Sequence, residues 1–301
     1  MSNTQVESGY ADKAGKGIHN QHNRRVIGDV LSYILLTVLG IIWLLPIVWV
    51  FLESFNQNSS SYQRTFFPTQ YTFNNYKQLF TETNVMNFGS MFLRTFIIAC
   101  FVCVISVAFV LFVAYCMSRM RFRFRKPFMN IVLVLGMFPS IMAVVAVYFI
   151  LKAMNLTSGN WTVVALILVY SAGTGAGFYM MKGYMDTIPN SLDEAAMLDG
   201  CTRWQVFYKI ILPICRPMIV YQAITGFLAP WLDFVMAKAI CRTQDQYTVA
   251  LGLWQMLQKE YISQWYARFA AGAVVVSIPI AILFMVMQRF YQESMSGSVK
   301  G

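Results

Sequence analysis

Charge is what this sequence has least of. Asp, Glu, Lys and Arg make up 12% of its 301 residues, about half the share found in an ordinary soluble domain. Meanwhile 57% of the chain is hydrophobic and the mean hydropathy is +0.54. That balance excludes a soluble globular protein and fits a polytopic membrane protein. Histidine is nearly absent as well: His19 and His22 both lie in the polar first thirty residues. The acidic residues of the apolar runs reduce to Glu53 and Asp233, each near a run's end. A carrier driven by protons or ions keeps ionisable relays at membrane depth, because such costly groups persist there only for function. No such relay is evident. A nucleotide site is missing too. In the nearest approach to a phosphate loop, "GYADKAGKG", five residues rather than four separate Gly9 from Gly15, and Gly17 stands where Ser or Thr is needed. Uphill transport by this chain would therefore draw its energy from another subunit. The tail reads as flexible, and it lacks the apolar core and cleavage pattern of a leader, so the first apolar run is expected to remain as an uncleaved span.

Six cysteines are present, but not in a scaffold arrangement. Cys100, Cys103 and Cys116 share one apolar run, and Cys201 and Cys215 flank a polar island; Cys241 alone is a candidate for an oxidising side. The Cys100-x-x-Cys103 pair has a ligand-like spacing without the second pair that a structural metal site needs. It reads as small apolar packing, and no metal is expected.

What the chain does have is six stretches of about 20 apolar residues, the length of helix that crosses a hydrocarbon core: residues 31–53, 94–117, 130–151, 161–181, 214–236 and 268–290. They lack the alternation of barrel strands, and in lipid every backbone polar group must be satisfied within its segment. The expected fold class is an all-α polytopic membrane protein with six transmembrane helices. Pro46, Pro139, Pro230 and Pro279 fall inside spans, which predicts kinks or, alternatively, unwound pore-lining segments. In "SAGTGAG", Gly173 and Gly177 have the spacing of close helix packing; a place beside a translocation path is the other reading.

Orientation follows from the basic residues of short loops. "SRMRFRFRKP" collects Arg119, Arg121, Arg123, Arg125 and Lys126 without an acid, which makes it cytoplasmic. Alternation through six spans puts both termini and the polar island on that side. The formal charge of +10 is explained in this way, so nucleic acid is not expected as a partner. The resulting plan is a cytoplasmic tail (1–30), a membrane domain (31–290) and a short cytoplasmic tail (291–301). Extracytoplasmic connections are expected at 54–93, 152–160 and 237–267.

The island, within residues 186–213, reads "SLDEAAMLDGCTRWQVFYKIILP" from Ser191. Pro189 and Asn190 break the chain, and Ser191 and Glu194 match a capping box that opens a short helix. Asp193 and Glu194 complement the positive end of its dipole. Gly200 can take the left-handed conformation that ends it. Thr202 and Gln205 repeat the box for a second helix, which Pro213 and Pro217 help to terminate. Ala195 and Ala196 carry little bulk, so another protein surface could approach closely, with Glu194 and Asp199 offering charge to a basic partner. DNA reading is awkward for a helix pair tethered between spans. An amphipathic pair lying on the bilayer remains open.

The stretch "EAAMLDGCTRWQVFYKIILPICRP" resembles the EAA loop of ABC importer permeases: Glu194, Ala195, Ala196, Gly200, Ile210, Leu212 and Pro213 match its signature. "PTQYTFNNYKQLF", "AYCMSRMRFRFRKP", "APWLDFVMAKAI", "YTVALGL" and "SGSVKG" extend the resemblance to MalG-type maltose and maltodextrin permeases. The resemblance implies the type I importer permease fold in a bacterial cell membrane, in a heteromeric complex. The other members would be a second, MalF-like permease, two ABC ATPase subunits and an extracytoplasmic sugar-binding protein. ATP and Mg would be bound by the ATPases, with no cofactor and no catalytic residue in this chain. It also implies that Glu194, Ala195, Ala196, Asp199 and Gly200 couple to the ATPase, that "SGSVKG" reaches the ATPase interface, and that the connection between spans five and six meets the binding protein, pointing to Gln258, Lys259, Glu260 and Tyr261. Aromatic faces with amide and acidic partners bind sugars, so Tyr170, Tyr221, Gln222, Trp231 and Asp233 are candidates for the substrate path; aromatic anchoring at the interface is the alternative. The expected cargo is a maltodextrin, or else a galacto-oligosaccharide or another sugar. A membrane scaffold or sensor that uses the island to bind a signalling protein is the reading from a different class.

Overall fold

The computed structural model describes residues 3–57, 67–83 and 86–297. Two compact units divide the chain after Glu53. The first is one helix, α1 (Asn3–Glu53), with Pro46 inside it. Its apolar window, Ile27–Glu53, has 27 residues, about 40 Å of helix. Contrary to the expectation of a flexible tail, the polar residues from Asn3 onward continue the same helix.

The second unit opens with the amphipathic α2 (Asn74–Thr81) and the long α3 (Phe88–Arg119). There follow α4 (Arg125–Gly136), α5 (Ser140–Ala153), α6 (Trp161–Thr174) and α7 (Phe178–Thr187), the last two joined by a 3-10 turn at Gly175–Gly177. Next come α8 (Asn190–Leu198), α9 (Arg203–Val206), a π-helical turn (Phe207–Ile211) and α10 (Leu212–Ile214). The remainder is α11 (Arg216–Leu232), α12 (Val235–Ile240), α13 (Val249–Met256) and α14 (Ile262–Gly297). Among the described residues the only strand-like pairing is one bridge, Asn56 to Tyr71. Among the described residues four helices are long and apolar enough to cross a membrane, and two bent pairs bring the total to six when each pair is one span.

The bends fall at prolines: Pro139 gives the break it predicts inside the third span, and the second bend lies at the start of the fifth, between Pro213 and Pro217. Helix α4 meets α5 at 108°, where Pro139 adopts an extended ψ of 125° ahead of α5. Proline removes a backbone donor and disfavours helical geometry just before itself. The α9–α10 segment meets α11 at 78° around Cys215, between Pro213 and Pro217. Pro230 and Pro279 lie inside continuous helices. The connections expected as loops also carry helix: α2 in residues 54–93, and α12 and α13 in residues 237–267.

Helix α3 packs along α11 and against α6 and α7. Close approach to α11 depends on Gly226, where an added Cβ would lie 2.5 Å from the Ser106 hydroxyl and 3.3 Å from the Cys103 backbone. The buried side chains form two main cores. One gathers Met91, Ile98 and Val102 of α3 with Leu166, Ile240, Leu251 and Trp265. The other gathers Val110, Leu111, Ala114 and Met117 of α3 with Met181, Met185, Ala196, Phe207 and Ile211. Helix α3 thus contributes to both, one at each end.

Candidate functional site: the helix pair between α7 and α11

The island folds as helix, turn, helix. Ile188 and Pro189 are extended, with ψ of 122° and 133°, and α8 starts at Asn190. The capping box expected at Ser191 and Glu194 does not form: no side chain caps α8, because the helix begins two residues earlier, with Pro189 in the N-cap position. Gly200 ends the helix with φ of +87°. The Cys201 N–H donates to the Ala196 carbonyl and the Gly200 N–H to Met197, the pair of bonds that closes a helix through a left-handed glycine. The second capping box is present: Gln205 N–H donates to Thr202 Oγ1 at 3.3 Å, and Thr202 N–H to Gln205 Oε1 at 2.7 Å.

Helical spacing sorts α8 into two faces. Leu192, Glu194, Ala195 and Leu198 are exposed, Leu198 at 89%. Asp193 and Ala196 are buried, and Ala196 packs in the core with Met181 and Phe207. The expectation that both alanines face outward therefore holds for Ala195 only; the small side chain of Ala196 lets α8 seat on its own bundle. Asp199 and Gly200 are exposed at the turn.

The buried face of α8 is held by α3, a connection the sequence reading did not anticipate. Arg119 Nη2 donates to the Ile188 carbonyl at 2.9 Å, and Nη1 to Asn190 Oδ1 at 2.5 Å. Nε lies 2.9 Å from Asp193 Oδ2, with both side chains largely buried. The N–H does not point at that oxygen, so this contact is an ion pair rather than a hydrogen bond. Burial pushes the Asp193 carboxyl up from its ordinary value; Arg119 opposes the rise and Glu194 adds to it. One residue earlier, Ser118 donates to Asp186 Oδ1 at 2.6 Å, and Asp186 also pairs with Lys182. One turn earlier, Tyr115 donates to the Arg203 carbonyl at 3.2 Å. The available signal was the spacing of Asn190 and Asp193, three apart and hence on one helix face, set against a basic run assigned to the same side.

A second feature is a cavity of about 360 Å³ lined by Ile141, Val144, Tyr170, Thr174, Asp233 and Met236 among others. The Tyr170 hydroxyl donates to Asp233 Oδ2 at 2.9 Å, and the same oxygen accepts the Ala237 N–H at 3.0 Å. Of the five substrate-path candidates, these two meet here. Gln222 is buried, donates to the Thr174 carbonyl at 3.3 Å, and holds its Oε1 where a Cβ at Gly177 would stand. Trp231 is buried against Phe92 and Phe227. Tyr221 is half-buried on α11. The glycines that permit close packing are Gly175, against Phe109, and Gly177; Gly173, expected to pair with Gly177, has open space and lines the cavity.

In the turn between α13 and α14, Lys259 and Glu260 are exposed, Gln258 is half-buried and bonds back to Trp254, and Tyr261 packs against a core. "SGSVKG" runs past Gly297, and its last four residues lie outside the described residues. No group of three His, Cys, Asp or Glu residues able to hold a metal occurs among the described residues.

Residues 110–297, which contain the helix pair and its α3 clamp, match the family described as "Binding-protein-dependent transport system inner membrane component". The chain belongs to this family. It is 35% identical over 280 residues to the galactooligosaccharides transport permease GanQ of Bacillus subtilis, covering 92% of this chain and 98% of that protein. Identity is 31% to the maltodextrin transport permease MdxG of Bacillus subtilis, over 94% of this chain and all of that one. It is 32% to the maltodextrin transport permease MalD of Streptococcus pneumoniae, over 92% and 98%. A bacterial ABC transporter involved in importing alginate superposes with a TM-score of 0.71 at 20% identity, over 89% of this chain and 97% of that one, a likeness that concerns the fold. This permease is a membrane-embedded, multi-pass component of a sugar ABC importer. It is not itself catalytic, the ATPase being a separate subunit. The MalG-type resemblance is supported at this level of sugar-importer permease, while GanQ, MdxG and MalD are described for two different sugars.

Proposed function

We propose that this permease admits an oligosaccharide, most directly a maltodextrin, through a bundle driven by ATP hydrolysis in a partner, with the 190–214 helix pair as the element the ATPase grips. The observation that carries this reading is the two-faced α8: one face is sealed into the bundle, while Glu194, Ala195 and Leu198 are left exposed by the described residues. Exposed leucine beside a carboxylate and a small residue suits a partner groove with a basic rim. Asp199 and Gly200 complete that surface at the turn.

The helix pair and both termini are cytoplasmic in this reading, as the basic Arg119–Lys126 run favours. A second permease of MalF type, two ATPases carrying ATP and Mg, and a sugar-binding protein outside complete the importer. Closure of the ATPases displaces the helix pair and switches the bundle between its two open states. Tyr170 and Asp233 face the sugar in their cavity, with Tyr221, Gln222 and Trp231 holding the neighbouring helix. Lys259 and Glu260 meet the binding protein, flanked by Gln258 and Tyr261. A galactooligosaccharide is the second reading, favoured by the 35% identity to GanQ.

The test is uptake by the assembled importer in ATP-loaded vesicles, offered a panel of labelled sugars. Glu194→Ala is expected to lower ATP-dependent uptake at least tenfold and to weaken retention of the ATPase, with the permease still inserted. Unchanged uptake and retention would remove the docking role, and uptake of neither sugar class would remove the substrate assignment.

A further inference from the structure

The chain joins α8 to the bundle through changes of direction. On one side is the extended Ile188–Pro189 pair, and on the other the π-helical turn followed by a 78° bend. Neither junction is a straight strut. The contact with α3 is different. Arg119 ends a helix of 32 residues, about 48 Å long, which sends buried side chains into both cores. All three guanidinium nitrogens meet the loop, at a backbone carbonyl, an amide and a carboxylate within six residues of one another. A guanidinium holds such a fork in fixed geometry, whereas an ammonium engages as a point charge.

We propose that Arg119 is a positioning residue for energy coupling: its three-pronged hold on Ile188, Asn190 and Asp193 makes α3 move with the helix pair, so that α3 carries the motor's displacement through the bundle. Ser118 on Asp186 and Tyr115 on the Arg203 carbonyl brace the same end of α3 against α7 and α9. The outward face of α8 is then free for the ATPase while the inward face transmits. The inference rests on the reading of this helix pair as the element the ATPase grips.

The readout is sugar moved per ATP hydrolysed, measured on the full importer in vesicles with labelled maltodextrin, or galactooligosaccharide where the panel assigns that sugar. Arg119→Ala and Arg119→Lys are expected to retain at least half the ATP hydrolysis while uptake falls tenfold or more. Asn190→Ala, which removes one prong at an exposed residue, is expected to lower the ratio about threefold. A purely structural role would reduce the amount of assembled complex and lower both rates together, leaving the ratio unchanged. A wild-type ratio in Arg119→Lys and Asn190→Ala overturns the proposal, whether or not Arg119→Ala assembles. Glu194→Ala separates the two ideas: if it leaves ATPase retention and uptake intact, the reading of the helix pair fails. If it disrupts them while the Arg119 variants keep a normal ratio, the clamp alone fails.

Discussion

At Gly177 the absence of a single atom decides a helix contact. The Gln222 amide occupies the space a Cβ would need, and in that position it satisfies the Thr174 carbonyl exposed at the 3-10 turn. Gly177→Ala should therefore expel the amide and leave buried polar groups unpaired, at a cost of about 1–3 kcal/mol. Adding Gln222→Ala should relieve most of that loss, because it removes the colliding group. Thermal unfolding of the two single variants and the double variant in detergent measures the coupling; additive losses would mean the two residues do not share this space. Residue-scale features of this kind were the least legible in the sequence. The GxxxG spacing pointed to Gly173 and Gly177, yet the second close-packed glycine is Gly175, because the helix tightens to 3-10 there and shifts the face it presents. Ser191 failed as a cap for a similar reason: with Pro189 as N-cap the helix starts two positions earlier.

Elements were more legible, since apolar run length and capping chemistry act locally. The Thr202–Gln205 box and the left-handed Gly200 form as their residue types predict. Four of the six apolar runs are single long helices or two coaxial pieces. Packing partners could not be read, because which helix meets which depends on contacts far apart in sequence. The α3–α11 crossing is the clearest instance. Its approach rests on Gly226 facing Ser106 and Cys103, the small-residue device that lets helices meet in lipid. Gly226→Leu should push α11 away from α3, lower the unfolding midpoint and abolish uptake. Gly28→Leu, at a position with open space around it, should leave the unfolding midpoint near the wild-type value. Equal effects at both sites would show that side-chain bulk in a span, not this crossing, is what matters.

At the scale of the whole second unit, stability is divided between two cores rather than concentrated in one. The core away from the helix pair has its own clamp: Arg268 of α14 donates to Gln78 and Glu82, tying α2 down across more than 180 residues of sequence. Arg268→Ala should cost about 2 kcal/mol and raise amide hydrogen exchange across residues 74–82, leaving exchange in residues 190–206 unchanged. Concerted loosening of both regions would contradict separate cores. This division was invisible in composition, which is uniformly apolar along the runs; it arises because α3 is long enough to serve both ends.

The elbow at Pro139 has a consequence for what surrounds it. Its arms have 12 and 14 residues, about 18 and 21 Å of helix, so each reaches across one leaflet only. At the corner the Phe138 N–H reaches back to the Leu135 carbonyl and the Pro139 carbonyl accepts from Met142 and Ala143, which leaves the Phe138 carbonyl, ahead of a proline without a donor, as the group to which acyl chains offer no partner. Fatty tails must therefore be kept from that corner, by a watery crevice or by the flank of a neighbouring subunit.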